Sequence, residues 1–140
     1  MGYAYMLSGG AVTWASRKQQ VIATSTTEAE YIGLYNAAKE VVWIRNFLQD
    51  IGRKKLTGDT QATRILGDNQ GALRLVANPE FHTRSKHIDV QYHYVRELLE
   101  SNTISIEYVR TSEMAADCLT KPLKQGLLRN NLDILGLKVE

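Results

Sequence analysis

Three carboxylate residues in separate parts of the sequence could together do chemistry that none of them could do alone. They are Glu28 near the start of a predicted helix, Asp68 at the end of a predicted strand and Asp117 in a late predicted helix. Carboxylates that converge in a fold repel one another unless a cation neutralises them, and hard oxygen ligands select Mg²⁺ or Mn²⁺. Two such ions can activate a water molecule and stabilise the leaving oxygen of a phosphodiester.

Each acid also has an ordinary structural interpretation. Glu28 follows Ser25 by three residues, which is the spacing of a capping box at a helix start. Asp68 could cap the helix that follows it, and Asp117 could be a solvated acid on a helix surface. Spacing alone therefore does not predict a nuclease.

The elements that must position these acids follow from apolar periodicity and from turn and cap signals. Strands are predicted around a Gly9-Gly10 turn and later in the chain, at residues 3–8, 11–16, 63–66 and 103–109. Helices are predicted from Ser25 to about Ile51, from about 69 to 77, from 85 to about 100, from Thr111 or Ser112 to before Pro122, and within 127–137. This order predicts an α/β or α+β domain with a mixed sheet at residues 1–124, followed by a C-terminal tail at 125–140.

Periodic apolar residues predict which faces of these elements are buried. Alternation in the second strand favours one buried face, with Val12 and Trp14 on the same side. In the long helix and in the helix at 85–100, the apolar residues recur at helical spacing and predict core positions: Tyr31, Leu34, Ala38 and Val41, then Ile88, Tyr92, Val95 and Leu99.

Length and composition set limits on the class of protein. The 140 residues suffice for one domain with a core, and a net charge of +2 permits a nucleic-acid partner without indicating one. The basic clusters Arg17-Lys18 and Arg53-Lys54-Lys55 are interpreted as solvated loops. Cys118 is the single cysteine, and we expect a small buried side chain rather than a reactive thiol. No membrane span or signal peptide is evident, which predicts an intracellular protein, cytoplasmic or nuclear.

The stretches around the three acids, and several others, occur together in one family and in the same order. These stretches are Gly2-Tyr3, Gly9 to Trp14, Ser25 to Tyr31, Ala37 to Glu40, Asp68 to Gln70, Asn78 to His82, Lys86 to Asp89 and Ala116 to Leu123. On these stretches, which cover nearly the whole chain, the sequence resembles the ribonuclease H domain at the end of the Copia-type LTR-retrotransposon polyprotein.

The resemblance implies a ribonuclease H-like fold with three layers, in which helices flank a mixed sheet. It also implies two-Mg²⁺-ion cleavage of the RNA strand of RNA–DNA hybrids. By motif, Glu28 rather than Glu30 matches the family's helix acid, because it directly follows the threonine. Asp68 and Asp117 match the strand acid and the late acid, so the resemblance assigns all three as catalytic metal ligands.

The resemblance also suggests which polar residues meet the nucleic acid. Asn69 and Gln70 match a position where the family's side chains approach the hybrid, and amides can contact the 2′-OH that separates RNA from DNA. Lys86 to Asp89 is typical of the Copia-type branch. We interpret His87 and Asp89 there as structural residues at a helix start rather than as catalytic groups.

One feature of the family pattern is absent from this sequence. The family's first strand carries a metal-binding Asp and lies in the centre of the sheet, whereas this chain opens at Met1 within the second strand. Its absence removes a ligand and predicts two unpaired strand edges. Three arrangements remain open: a strand supplied by a second copy or a partner protein, direct pairing of 3–8 with 63–67, or a fragment of a longer polyprotein.

Two hypotheses about function follow. The first is a retrotransposon-derived ribonuclease domain that cleaves RNA–DNA hybrids with Mg²⁺ or Mn²⁺, weakened or inactivated by the missing Asp. The alternative is a catalytically silent domain that binds nucleic acid or protein and was adopted by the host.

Overall fold

The computed structural model describes residues 1–19, 23, 25–53, 61–77 and 86–138, with the backbone alone at 75, 77 and 86–88. Strands and helices follow one another along it in this order: β1 Gly2–Leu7, β2 Gly10–Ser16, α1 Thr26–Asp50, β3 Thr63–Gly67, α2 Gln70–Ala77, α3 Lys86–Glu100, β4 Ile104–Tyr108 and α4 Gln125–Ile134. Two 3₁₀ turns, Thr111–Glu113 and Ala115–Leu119, stand between β4 and α4. The chain is therefore an α/β domain with small sheets.

The four described strands form two separate pairs. β1 and β2 are antiparallel, with Tyr3 opposite Ala15, and β3 and β4 are parallel, with Ile65 opposite Ile106. The hairpin turns at Ser8 and Gly9, both of which have positive φ, as a two-residue turn of the mirror-image type requires. The predicted Gly9-Gly10 turn was thus wrong by one residue, because Gly10 already belongs to β2.

A cleft separates the two strand pairs. β1 and β3 are not neighbours in any sheet of the described residues, so the direct pairing of 3–8 with 63–67 is not the arrangement that this chain adopts. A cavity of about 170 Å³ lies between them, and α1 forms its floor. Its lining is mainly apolar and comes from both sides: Tyr5, Met6, Leu7, Val12, Val41, Ile44, Arg45, Leu48 and Thr63.

The core lies where α1 and α3 meet the strands. Val41, Val95 and Ile104 are fully buried, and Tyr31 stacks on Tyr92 with ring centroids 5.6 Å apart. The predicted core positions on α1 and α3 are confirmed for Tyr31, Ala38, Val41, Tyr92 and Val95, while Leu34 and Leu99 pack at the rim. The side chain of Ile88 lies outside the described residues.

One face of β2 is more buried than the other, as its alternation predicted, and this face carries Thr13 and Ala15 rather than the bulky side chains. Trp14 is 64% exposed and Val12 is 48% exposed, whereas Ala15 is buried. The reason is a polar anchor on the other face, where Thr13 Oγ1 donates a hydrogen bond of 2.6 Å to Glu40 on α1. Small and polar side chains therefore fill the space under α1, and the bulky ones face outward.

The C-terminal part folds back onto the hairpin. The predicted helix beginning at Thr111 or Ser112 was wrong in type, because that segment forms the two short 3₁₀ turns instead. Helix α4 begins and ends slightly before the predicted tail helix, and the Leu135 carbonyl that follows it accepts a hydrogen bond of 3.1 Å from Ala11 N–H. No helix in the described part of the chain is long and apolar enough to cross a membrane.

Candidate functional site

The first acid stands at a capped helix start. Ser25 adopts an extended backbone, and its Oγ accepts a hydrogen bond of 3.1 Å from Glu28 N–H. This bond confirms Ser25 as the N-cap and satisfies one of the free amide groups of the first turn. Glu28 is half-buried in this turn, and the charge of its carboxylate favours the positive end of the helix dipole.

The second acid is not a helix cap. Asn69 Oδ1 accepts a hydrogen bond of 3.0 Å from Ala72 N–H, so Asn69 caps α2. The interpretation of Asp68 as an N-cap was therefore wrong, and its half-buried carboxylate is available for another role at the end of β3. Gly71 keeps α2 close to α1, since a Cβ there would lie 3.0 Å from Thr27 Oγ1.

The third acid is held against the hairpin by a close backbone approach. Asp117 lies in the turn Ala115–Leu119, and Ser16 Oγ donates a hydrogen bond of 2.6 Å to the carbonyl of Leu119. Only glycine fits at position 2, because an added Cβ would lie 2.8 Å from Leu119 Cβ. Asp117 is only 8% exposed, so the interpretation of this residue as a solvated surface acid was wrong.

A lysine that the sequence did not single out faces Asp117. Lys121 Nζ lies 2.7 Å from Asp117 Oδ2, although this buried oxygen has no hydrogen bond of good angular geometry within the described residues. The contact with Asp117 is the main reason why the pKa of Lys121 is raised, and the charges of Asp68 and Glu30 act in the same direction. Lys121 was detectable from its position four residues after Asp117, which is the spacing of facing side chains in a helical turn.

The charge interactions single out Glu30 on α1. Burial raises the pKa of Glu30, and the negative charges of Asp68 and Asp117 raise it further, while the N-terminal ammonium and Lys121 act against them. Its side chain keeps exposed surface, so water screens part of these interactions. Three elements thus bring Glu30, Asp68 and Asp117 into one electrostatic group, which we call the acid cluster.

Glu30 was available in the sequence but was passed over in favour of Glu28. Thr27 faces Gly71 on α2, and Glu30 stands three residues further along the same helix face. The sequence alone carries no signal for this relation, because the approach of α1 to α2 and Asp68 exists only in the folded chain. Glu28 has an interaction partner in the structure, and its assignment as a ligand stays a prediction.

The donor chemistry of the acid cluster suits Mg²⁺ or Mn²⁺, because carboxylate oxygens are the ligands that these hard cations prefer. The buried Asp117 Oδ2 already lies 2.7 Å from the Lys121 ammonium, so a metal ion would have to share or replace that partner. Across the described ranges, however, no group of three or more His, Cys, Asp or Glu side chains is arranged to hold a metal ion. The carboxylate ligands suit Mg²⁺ or Mn²⁺. A closed metal site would need these side chains to lie closer together, or a further ligand.

The remaining predicted residues flank this cluster. Asn69 uses its Oδ1 for the cap, which leaves its amide NH₂ as the group that could contact a ligand. Gln70, the first residue of α2, is exposed beside it. Cys118 is half-buried, and burial raises the pKa of its thiol, which disfavours the reactive thiolate. The side chain of His87 lies outside the described residues.

Comparisons with known proteins place the chain in an evolutionary class. It is 36% identical over 136 residues to the retrovirus-related Pol polyprotein from transposon TNT 1-94 of Nicotiana tabacum, a match that covers 97% of this chain and 10% of that protein. It is 37% identical over 136 residues to the corresponding polyprotein from transposon RE1 of Arabidopsis thaliana, covering 97% of this chain and 9% of that one. No family model matches, and no solved structure matches.

An α/β domain with an acid cluster, matched from end to end by transposon polyproteins, is a retrotransposon Pol-derived domain. The chain belongs with the Pol polyproteins of Copia-type retrotransposons, a further member being that of transposon RE2 of Arabidopsis thaliana at 37% identity over 129 residues. It spans about a tenth of the length of these relatives, since the matches cover 10% and 9% of them.

Proposed function

We propose that the chain is a ribonuclease H-like domain and that its acid cluster belongs to a site for Mg²⁺-dependent hydrolysis of the RNA strand of RNA–DNA hybrids. The observation that carries this proposal is the convergence of charge from α1, the end of β3 and the second 3₁₀ turn. A cluster of acids from three distant segments is costly to the fold, so a role in cation-dependent chemistry is a reason for it to exist. Descent from a Pol polyprotein supports the same class of substrate.

In this proposal the residues divide into metal holders and substrate contacts. Asp68, Asp117 and a glutamate of α1 would hold the cations, which supply an activated water and stabilisation of the leaving oxygen. Asp117 is buried and fixed by the turn around it, so it offers a rigid ligand. Asn69 and Gln70 at the start of α2 would contact the hybrid, with the Asn69 amide NH₂ as a donor to a 2′-OH.

The identity of the helix ligand can be decided between two glutamates. The motif favours Glu28, whereas the interactions with Asp68 and Asp117 favour Glu30. We propose Glu30 as a ligand candidate beside Glu28. Comparison of Glu28→Gln with Glu30→Gln decides which glutamate is the ligand. The variant that lacks the true ligand should bind the cation more weakly, and the other variant should bind it as the natural chain does.

The cleft between β1 and β3 suggests how the site would be completed. Within the described ranges, one edge of each of these strands is unpaired, and residues of both strands and of α1 line an apolar cavity. We propose that an extended segment of a partner protein fills the cleft by strand addition, with apolar side chains facing Val41 and Ile44. Strand addition from a second copy is the competing outcome, and light scattering separates the two, because only the second copy makes the isolated chain a dimer.

A second candidate function is favoured by a specific observation. Lys121 already neutralises Asp117, and the described residues include no three-ligand group arranged for a metal. The alternative proposal is thus a catalytically silent domain that binds nucleic acid or protein through the same surface. Under the nuclease proposal we expect the isolated chain to cleave hybrids slowly, and under the silent-domain proposal we expect no cleavage at all.

The experiment that separates the two functions uses an end-labelled RNA–DNA hybrid, Mg²⁺ or Mn²⁺ and an excess of the chain. Slow, metal-dependent cleavage of the RNA that disappears in Asp68→Asn and in Asp117→Asn supports the nuclease. Asp50→Asn is the matched control, because Asp50 is an exposed acid at the far end of the same helix α1. Binding of the hybrid without cleavage at any enzyme concentration would favour the silent domain.

A further inference from the structure

The second 3₁₀ turn, which carries Asp117, is held at both of its ends by side chains from other elements. At its C-terminal end, Ser16 Oγ on the hairpin donates a hydrogen bond of 2.6 Å to the Leu119 carbonyl. At its N-terminal end, Asn131 Nδ2 on α4 donates a hydrogen bond of 3.3 Å to the Met114 carbonyl. A short 3₁₀ turn has poorer hydrogen-bond geometry than an α-helix, so it depends on outside contacts of this kind to keep a fixed position.

The Met114 carbonyl connects Asn131 to the backbone of Asp117. The same oxygen accepts a hydrogen bond of 3.1 Å from Asp117 N–H, so one acceptor joins the two residues. Helix α4 is itself fixed beyond Asn131, because the carbonyl of Leu135 accepts a hydrogen bond of 3.1 Å from Ala11 N–H on the hairpin. The Asn131 side chain therefore holds the acceptor to which Asp117 is bonded.

The surroundings of Asn131 give no packing reason for an amide at this position. The residue is fully buried, and its Oδ1 has no hydrogen-bond partner within the described ranges. An unpaired buried polar atom costs free energy that an apolar side chain of similar size, such as leucine, would not. What leucine could not supply is the bond from Nδ2 to Met114, whose carbonyl oxygen can only accept.

We propose that Asn131 is a positioning residue for Asp117: it fixes the Met114 carbonyl and thereby the place of the Asp117 carboxylate. The part of this inference that concerns hydrolysis rests on the proposed function of the acid cluster. It gives α4 a role in the site, although Asn131 lies outside every stretch on which the family resemblance depends. Removal of the amide should loosen Asp117 without weakening the core.

The first test measures hydrogen exchange of backbone amides by NMR on the full chain, without substrate or metal. Asn131→Leu keeps a side chain of similar size and removes the donor, so we expect Asp117 N–H to exchange about tenfold faster. The exchange of Val95 N–H in the core should not change. Asn130→Leu is the matched control, because this neighbouring asparagine is exposed and bonds the Ser112 carbonyl instead, at 3.4 Å. It should leave Asp117 N–H as in the natural chain.

Thermal unfolding of the same variants separates positioning from a general structural role. Asn131→Leu should melt at or above the melting temperature of the natural chain, because it removes the unpaired Oδ1. If leucine does not fit and the variant fails to fold, Asn131→Ala removes the same donor and should give the same selective rise at Asp117. Unchanged exchange at Asp117 in the folded variant, or an equal rise at Asp117 and Val95, overturns the proposal.

The second test measures cleavage of an RNA–DNA hybrid with Mn²⁺, which distinguishes this inference from the proposed function. If the natural chain cleaves, Asn131→Leu should lower kcat at least about tenfold and leave KM for the hybrid unchanged, since the proposed substrate contacts Asn69 and Gln70 belong to α2. Equal kcat in both proteins overturns the positioning role. Selective exchange at Asp117 with no cleavage by any variant supports it, and then only the proposed nuclease function fails.

Discussion

Helix α1 carries two regions that contrast in how completely they are assembled. At its first turns, the charge of Glu30 interacts with those of Asp68, after β3, and Asp117, in the second 3₁₀ turn, and Lys121 pairs with Asp117. In its second half, Val41, Ile44 and Leu48 form the floor of the cleft between β1 and β3. The acid cluster is assembled by elements of the described chain, whereas no strand among the described residues pairs with the facing edges of β1 and β3.

The difference shows how the two kinds of structure depend on their surroundings. Caps, close glycine contacts and charge pairs are made by short segments, and they form wherever those segments pack on a shared helix. A sheet requires a hydrogen-bonding partner along each buried edge, which no side chain can replace. The acid cluster can therefore form although the described strands make two separate pairs.

The largest effect should come from a comparison of isoleucines in the two regions. Ile104 in β4 is fully buried in the core, so Ile104→Ala should lower the free energy of unfolding by about 3 kcal/mol. Ile44→Ala in the cleft should lower it by less than about 1 kcal/mol, because Ile44 is only half-buried. Urea unfolding of both variants measures the difference.

Occupation of the cleft would change this result in a defined way. If a partner strand binds, Ile44→Ala should weaken the complex, whereas Ile104→Ala should mainly destabilise the free chain. Equal losses for the two isoleucines in the isolated chain would show that the cleft is already packed, and the contrast between the regions would be wrong.

The second effect concerns the contact that holds Asp117 in place. Gly2→Ala puts a Cβ 2.8 Å from Leu119 Cβ, and overpacking of this kind costs about 2 kcal/mol. The displaced turn should also weaken the acid cluster, visible as weaker Mn²⁺ binding. Gly10→Ala is the control, because nothing lies within 4 Å of its Cβ position and its φ is not positive. Equal stability of the two variants would contradict the proposed role of Gly2.

Local signals in the sequence predicted the helices and most of their core faces. Ser25 marked the start of α1, and the spacing of Tyr31, Ala38 and Val41 identified its buried side. These features depend on residues within a few turns of one another. Prediction worked there because residues that are close in the sequence are also close in space.

Features that depend on distant packing were missed or reversed. The alternation in β2 predicted one buried face without deciding which, and the hydrogen bond from Thr13 to Glu40 leaves Trp14 on the exposed face. Asp68 was interpreted as a cap because the sequence does not show that Asn69 Oδ1 reaches Ala72 N–H first. Glu30 was passed over because its relation to Asp68 and Asp117 exists only in three dimensions.

The third effect tests the assignment of the cap. Asn69→Ala removes the oxygen that accepts from Ala72 N–H and should cost about 1 kcal/mol of unfolding free energy. Asp68→Ala should cost less than about 0.5 kcal/mol in EDTA, because it removes no cap and relieves repulsion within the acid cluster. Thermal unfolding of both variants measures this. A larger loss in Asp68→Ala than in Asn69→Ala would return the capping role to Asp68.

The smallest effect is a change of stability with pH at Glu30. Burial and the charges of Asp68 and Asp117 raise the pKa of Glu30 above its ordinary value of 4.5, so the folded chain binds its proton more tightly than the unfolded chain does. Stability from this group is therefore present at low pH and lost as the pH rises through that range. Glu30→Gln cannot ionise, so at pH 7 in EDTA it should be more stable than the natural chain, by about 0.5 kcal/mol after screening by water.

The advantage of Glu30→Gln should disappear below the ordinary pKa of 4.5, where the glutamate of the natural chain is protonated as well. Urea unfolding of both proteins, at several pH values from well below 4.5 up to neutral pH, measures this dependence. Glu97→Gln is the control, because Glu97 is an exposed glutamate on α3. A stability advantage that is independent of pH, or that Glu97→Gln shares, would mean that the charges of Asp68 and Asp117 do not act on Glu30. The acid cluster would then be incompletely assembled, as the cleft is.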